Sequence, residues 1–224
     1  MKTLRNTICA YAVVLLGSLG FTTVSNAGSS DFSGIFIAIH GEVNGIQLDG
    51  THRAGTSNEE ITQGRAGAFV PVMGWEGGFN FPLGDMFFIT AGAKGGPGGK
   101  TPIAEGDDFE NAADFSVEVS SYKEYYIQPS VSVFDNSAIH IKIGRQYADL
   151  EAIGDITGQP NNLQGRTYAI GTTTISSNGL FIRSEAGATT FDPIKMVGVG
   201  GSSNGTVDAT PISAYGGISI GYKF

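Results

Sequence analysis

Charge is what this chain of 224 residues has little of: Asp, Glu, Lys and Arg make up 15% of it, against roughly 25% in ordinary soluble domains. A densely charged, water-facing surface is therefore beyond its means. Cysteine is almost missing too. The single Cys9 falls in the first apolar stretch, so the remainder can form no disulfide and offers no thiolate to a metal or substrate. Cations are fewer than anions, 13 against 21, for a formal net charge of −8. That balance opposes nucleic-acid binding, which needs Lys and Arg to neutralise phosphates. The longest apolar run, Ile8 to Leu19, is well short of the roughly 20 residues of a membrane-spanning helix.

What is present at the start has three parts. Lys2 and Arg5 make a positive end, the apolar run follows, and Ser25-Asn26-Ala27 supplies small residues before Gly28. This is the layout of a secretory signal. We expect residues 1–27 to be a cleaved signal peptide and residues 28–224 to form one domain. Removing Lys2 and Arg5 makes the mature chain more acidic still. The acidity gathers in Glu105-Gly106-Asp107-Asp108-Phe109-Glu110 and in Asp149 to Asp155.

Beyond residue 28 the dominant period is two, the signature of strands with unlike faces. In the last segment Ile212, Ala214, Ile218, Ile220, Tyr222 and Phe224 share one face. Ser213, Tyr215, Gly217, Ser219, Gly221 and Lys223 share the other. The pattern predicts strands near 33–43, 65–81, 86–95, 117–134, 138–149, 164–176, 179–191 and 211–224. Pro82-Leu83-Gly84-Asp85, Asp135-Asn136-Ser137 and Ser177-Asn178-Gly179 carry turn chemistry. The other four links, near 44–64, 96–116, 150–163 and 192–210, are long and polar. Short and long links alternate, as in outer-membrane barrels with periplasmic turns and external loops. The expected fold class is all-β: an eight-stranded antiparallel up-and-down transmembrane β-barrel behind a cleaved signal peptide.

A soluble barrel would put its polar face in water and crowd it with Lys and Glu. Here that face is mostly Gly, Ser and Thr, which suit the narrow interior of a small barrel. Its few charges, Glu76, Glu124, Lys142, Arg183 and Glu185, include both signs and are expected to form a barrel-interior polar network. Trp75, Phe79, Phe81, Phe87, Tyr222 and Phe224 are expected near the periplasmic rim, with Tyr125, Tyr147 and Tyr168 at the other end, as two aromatic belts.

With these features, the chain resembles the OmpA-like family of eight-stranded outer-membrane β-barrel proteins. The resemblance rests on the signal, the strand count, Gly74-Trp75-Glu76-Gly77-Gly78-Phe79-Asn80-Phe81 and the terminal Ile218-Ser219-Ile220-Gly221-Tyr222-Lys223-Phe224. It implies an outer-membrane location in a Gram-negative envelope. It also implies that Ile220, Tyr222 and Phe224 form an assembly signal for the barrel-assembly machinery. Nothing follows the barrel, so the peptidoglycan-binding domain of longer relatives is expected to be absent.

Motifs for chemistry are weak. Gly99-Lys100-Thr101 suggests a phosphate loop, but Lys94 stands where that pattern needs glycine. Glu105, Asp107, Asp108, Glu110 and Asp114 could together hold a divalent cation, although their spacing misses the calcium-loop pattern. His40, His52 and His140 make no metal-type pair. The His-x-Ser pairing of outer-membrane lipid A deacylases is also missing, because Ile141-Lys142 follows His140 and Gly41-Glu42 follows His40. The expected function is non-enzymatic and cofactor-free: a structural or surface-interaction role through the long loops, in contact with membrane lipid and lipopolysaccharide and without nucleic acid. A narrow porin-like channel is the alternative, and a lipid-modifying enzyme the third.

Overall fold

The computed structural model describes residues 28–54, 59–96, 101–106, 115–154, 156–159, 162–198 and 206–224. The expected leader over 1–27 lies outside these residues, as do Lys100 and the acidic positions Asp107, Asp108, Glu110 and Asp114. A 3-10 turn, Ser29–Asp31, precedes the strands. These are β1 (Gly34–Ala54), β2 (Glu59–Leu83), β3 (Phe87–Gly95), β4 (Thr101–Gly106), β5 (Phe115–Phe134), β6 (Ser137–Gly154), β7 (Ile156–Gln159), β8 (Asn162–Ile175), β9 (Leu180–Phe191), β10 (Ile194–Gly198) and β11 (Thr206–Lys223).

Eight of them pair in sequence, β1-β2-β3-β5-β6-β8-β9-β11, and β11 returns to β1. The closing ladder is antiparallel and runs from Phe36↔Lys223 to Arg53↔Thr206. Closure leaves no free edge in the circuit, which is the condition for a sheet to cross lipid. The short β4 continues against β5, while β10 and β7 extend the sheet beside β11. The three tight links fall where turn chemistry predicts them. Gly84 and Gly179 adopt φ of +84° and +90°, which side chains resist, and Asn178 Oδ1 accepts from Leu180 N at 3.1 Å.

The strands differ most from expectation at their outer ends. The described residues of the links predicted over 44–64, 96–116, 150–163 and 192–210 are largely extended strand. The reason is an inversion of polarity, plain on β1 and β6. In the lower part of β1, Ile35, Ile37 and Ile39 face out while His40, Glu42 and Asn44 are buried. Higher up, Leu48 is buried and Asp49 is exposed. On β6, exposed Ile139, Ile141 and Ile143 give way to Arg145 and Asp149, and buried His140 and Lys142 give way to Ala148 and Leu150. The exterior changes from lipid-compatible to water-compatible, and the interior does the reverse. Read across that boundary, an alternating pattern loses its phase and resembles a polar loop.

The interior therefore has three layers. Phe32, Phe36, Ala38, Phe88, Ala138, Ile175 and Phe181 close the periplasmic end, with Phe32 stacked on Phe88 at 4.9 Å between centroids. A polar layer occupies the middle. Above it lie Leu48, Val70, Val117, Ala148, Leu150, Leu163, Phe191, Ile194, Met196 and Ala209. Trp75 faces outward well inside β2 rather than at its periplasmic end: it pairs with Ile39, while the strand runs on to Leu83.

Candidate functional site

The middle layer is built by alternation. Alternate residues along these stretches of β2, β3, β6 and β9, and of β5 beyond Ser121, point inward, which brings Glu76, Lys94, Glu124, Lys142, Arg183 and Glu185 to one depth of a narrow cylinder. None of these six side chains belongs to a residue more than 4% exposed. Glu185 Oε2 lies 2.7 Å from Lys94 Nζ and 2.9 Å from Lys142 Nζ. Lys142 also reaches Glu124 Oε2 at 3.2 Å. Across the lumen Arg183 Nη1 meets Glu76 Oε1 at 2.5 Å. The second oxygen of Glu76 accepts from Ser219 Oγ at 2.7 Å, and Tyr126 OH donates to the first. Arg183 Nε donates to Thr173 Oγ1 at 3.2 Å.

The structure thus brings all five sequence-predicted charges, Glu76, Glu124, Lys142, Arg183 and Glu185, into one cluster. It adds members that pattern reading missed. Lys94 is the largest omission, although its parity with Phe88 and Thr90 on β3 places it on the inward face. Glu42 joins through Lys94 at 3.8 Å and accepts from Asn44 at 3.1 Å. Three tyrosines complete the layer. Tyr122 donates to Glu124 at 2.8 Å, and Tyr215 presents its ring to Lys142 and Lys94 at 5.1 and 5.9 Å. His140 Nε2 stands 3.3 Å from Glu185 Oε1. Tyr215 lies on the polar face that the alternation of the last strand defines, whereas Tyr122 and Tyr126 could not be told from belt residues by sequence alone.

Glycine makes the space. A Cβ on Gly92 would fall 2.5 Å from the Tyr126 ring, and one on Gly144 would fall 2.6 Å from Glu124 Oε1. Beneath the cluster, Arg183 Cζ sits 5.0 Å from the Phe36 centroid and 5.4 Å from that of Phe181. Above it, Thr189 Oγ1 donates to Gln146 at 2.7 Å, and a cavity of about 80 Å³ begins among Asn44, Ser213, Val72 and Phe191. Four carboxylates and three permanent cations are therefore sandwiched between apolar layers. Such an arrangement locks the staves through ion pairs in low dielectric.

Outside the cylinder, Ile220, Tyr222 and Phe224 face outward, with the rings of Tyr222 and Phe224 5.1 Å apart. Their side chains do not touch a shared core, so the apolar face of β11 is the exterior one. Ile39 is 68% exposed and Phe69 78%, values that only a lipid environment makes favourable over so continuous a belt. The side chains of His52 and Glu105 lie outside the described residues. Among the described residues, no group of three or more His, Cys, Asp or Glu is placed to hold a metal.

No family model and no curated protein matches the chain. Solved structures do. OprG, an outer membrane protein of Pseudomonas aeruginosa, aligns over 90% of this chain and 100% of its own, at 11% identity and a TM-score of 0.50. The outer membrane protease OmpT of Escherichia coli aligns over 85% and 97%, at 9% identity and a TM-score of 0.43. Ail, the attachment invasion locus protein of Yersinia pestis, aligns over 83% and 98%, at 9% identity and a TM-score of 0.38. At such identities OprG shares architecture alone, and the architecture agrees with the closed circuit and apolar exterior described above: the chain has the fold of a bacterial outer-membrane β-barrel.

Proposed function

We propose that this protein is a non-enzymatic, non-conducting barrel of the Gram-negative outer membrane that raises a rigid platform above the lipid for surface interaction. In this reading residues 1–27 are the export leader and residues 28–224 a single barrel domain of the OmpA-like kind. Ile220, Tyr222 and Phe224 are then the tag for the barrel-assembly machinery, and outer-membrane lipid and lipopolysaccharide surround the belt.

The observation that carries the reading is the sealed middle layer. Lys142 is 0% exposed, Arg183 packs down on Phe36 and Phe181, and an apolar cluster covers the layer from above. An ion crossing this cylinder would have to break paired charges in low dielectric, a cost of several kcal/mol. Eight strands enclose little more than their own side chains in any case. The upper reaches of β1, β5 and β6 extend well past the roughly 10 residues that a strand needs to span a membrane and carry polar side chains outward. Rigid scaffolds that end in loops are where recognition usually resides.

Planar-bilayer recording of the refolded protein tests this. Silence is expected for the wild type. Discrete conductance steps whose size or ion preference changes with Lys142→Ala would overturn the reading in favour of a channel.

A further inference from the structure

The basic residues are distributed unevenly. Among those with described side chains, Lys94, Lys142 and Arg183 are interior, and Lys195 and Lys223 stand at opposite ends of the molecule. The remaining three, Lys123, Arg145 and Arg166, are all exposed on the adjacent staves β5, β6 and β8. In a chain of net charge −8 this is a local reversal of sign.

The register makes the cluster tighter. Arg145 pairs directly with Arg166 and, on its other side, with Tyr125. Lys123 stands opposite Tyr147, two pairs farther along on the same face. Like charges opposed across a ladder destabilise a sheet, and neither arginine faces a carboxylate: the other neighbour of Arg166 is Thr190. The nearest acid in the register, Glu124, faces the interior, and on the outward face Asp149 and Asp192 lie farther toward the outside. An anion between the two guanidinium groups would turn repulsion into bidentate attraction.

The depth of the cluster indicates which anion. Below the arginines the same faces carry Ile143, Ile127 and, past Tyr168, Ile170, all exposed, and above them β6 becomes polar. The cations thus mark the upper edge of the apolar belt, where lipid headgroups sit. Tyr125 and Tyr168 flank them, and an open groove of about 610 Å³ runs from Ile127 and Ile143 to Arg145 and Arg166. A ligand that fits has acyl chains for the isoleucines, a phosphate for the arginines and a sugar for the amphipathic tyrosine rings.

We propose that Lys123, Arg145 and Arg166 form a binding site for the phosphate of a phosphorylated glycolipid in the outer leaflet of the membrane. The site depends on the lipid-facing belt of the proposed function and not on its sealed lumen, so a conducting barrel would leave it intact. A belt that proved to be buried would remove both.

The test is native mass spectrometry of the barrel refolded in neutral detergent and titrated with diphosphorylated lipid A. The wild type should retain one lipid A. At about fivefold in affinity per cation near a membrane surface, Arg166→Gln should weaken binding by about fivefold and Arg145→Ala/Arg166→Ala by roughly thirtyfold. Lys195→Ala should bind as the wild type does, and circular dichroism with heat-modifiable gel mobility checks that each variant is folded. Dephosphorylated lipid A and phosphatidylglycerol should bind markedly less well, and inorganic phosphate should not displace the lipid at equal concentration. Wild-type affinity in the folded double variant would overturn the proposal. So would equal loss in Lys195→Ala, equal binding of dephosphorylated lipid A or phosphatidylglycerol, or displacement by phosphate alone.

Discussion

Arg183 and Glu76 show what a single buried charge does in this cylinder. Each is 2% exposed, and each has the other as its closest ionic partner. Breaking a buried pair from one side leaves an uncompensated charge, which typically costs 3–5 kcal/mol, whereas replacing both partners with apolar groups can be nearly neutral. Arg183→Met should therefore lower stability by about 3–5 kcal/mol in urea unfolding of the refolded barrel, and Glu76→Leu/Arg183→Met should recover part of that loss. A double variant as damaged as the sum of its singles would show that the two charges act independently. Gly92 makes a steric counterpart: Gly92→Ala presses a methyl onto the Tyr126 ring and should cost about 1–3 kcal/mol, as overpacked sites do. At this scale the sequence was informative where parity was unbroken. Glu76, Glu124, Lys142, Arg183 and Glu185 could be placed inside because each alternates with outward-facing apolar, aromatic or small residues over its own short stretch. Lys94 and Glu42 obey the same parity, but each lies beside a glycine-rich stretch that blurs it. Tyr215 was legible from the alternation of the last strand, whereas Tyr122 and Tyr126 were hidden because an aromatic residue suits either face of a membrane strand.

Among the elements, β5 depends on one residue out of step. Val117 and Val119 face the upper apolar cluster, yet Tyr122, Glu124 and Tyr126 face the polar layer, an odd spacing that a regular strand cannot supply. A bulge between Ser120 and Lys123 absorbs it, with Ser121 at φ +53°. Nothing in Ser120-Ser121 announces a bulge, which is why the expected strand began correctly near residue 117 while its internal phase remained invisible. Deleting Ser121 would make the strand regular, and a one-residue shift sends every side chain beyond it to the opposite face. Either Glu124 and Tyr126 would then meet lipid, or Val117 and Val119 would leave their cluster. We expect the deletion to abolish heat-modifiable gel mobility. Ser121→Gly, which relieves the left-handed strain, should instead gain up to about 1 kcal/mol. A folded deletion variant of normal stability would mean that the bulge is not what sets the phase.

For the molecule as a whole, the inversion of polarity along the staves fixes where the membrane begins and ends, and it also explains why the strands looked shorter in the sequence than they are. A pattern search for apolar-out, polar-in alternation finds only the portion within lipid. On β6 it stops at 149 and on β8 it begins at 164, shortly past Arg145 and Arg166, because beyond the arginines the apolar residues change sides. The same boundary gives a direct test of orientation, helped by the position of Cys9, the only cysteine, in the proposed leader. Single cysteines introduced into residues 28–224, refolded into lipid vesicles, report their depth through a water-soluble maleimide. Cysteines replacing Ile170, Ile182 or Ile218, exposed on the proposed lipid face, should resist labelling until detergent is added. Those replacing Gln164 or Thr210, exposed on the upper parts of the same faces, should react at once from the aqueous side. A soluble cylinder would label all five alike without vesicles and leave the protein free of them. A barrel inserted less deeply would move the boundary toward Ile170 and leave Arg145 and Arg166 in water, where they would be screened and would hold no lipid phosphate.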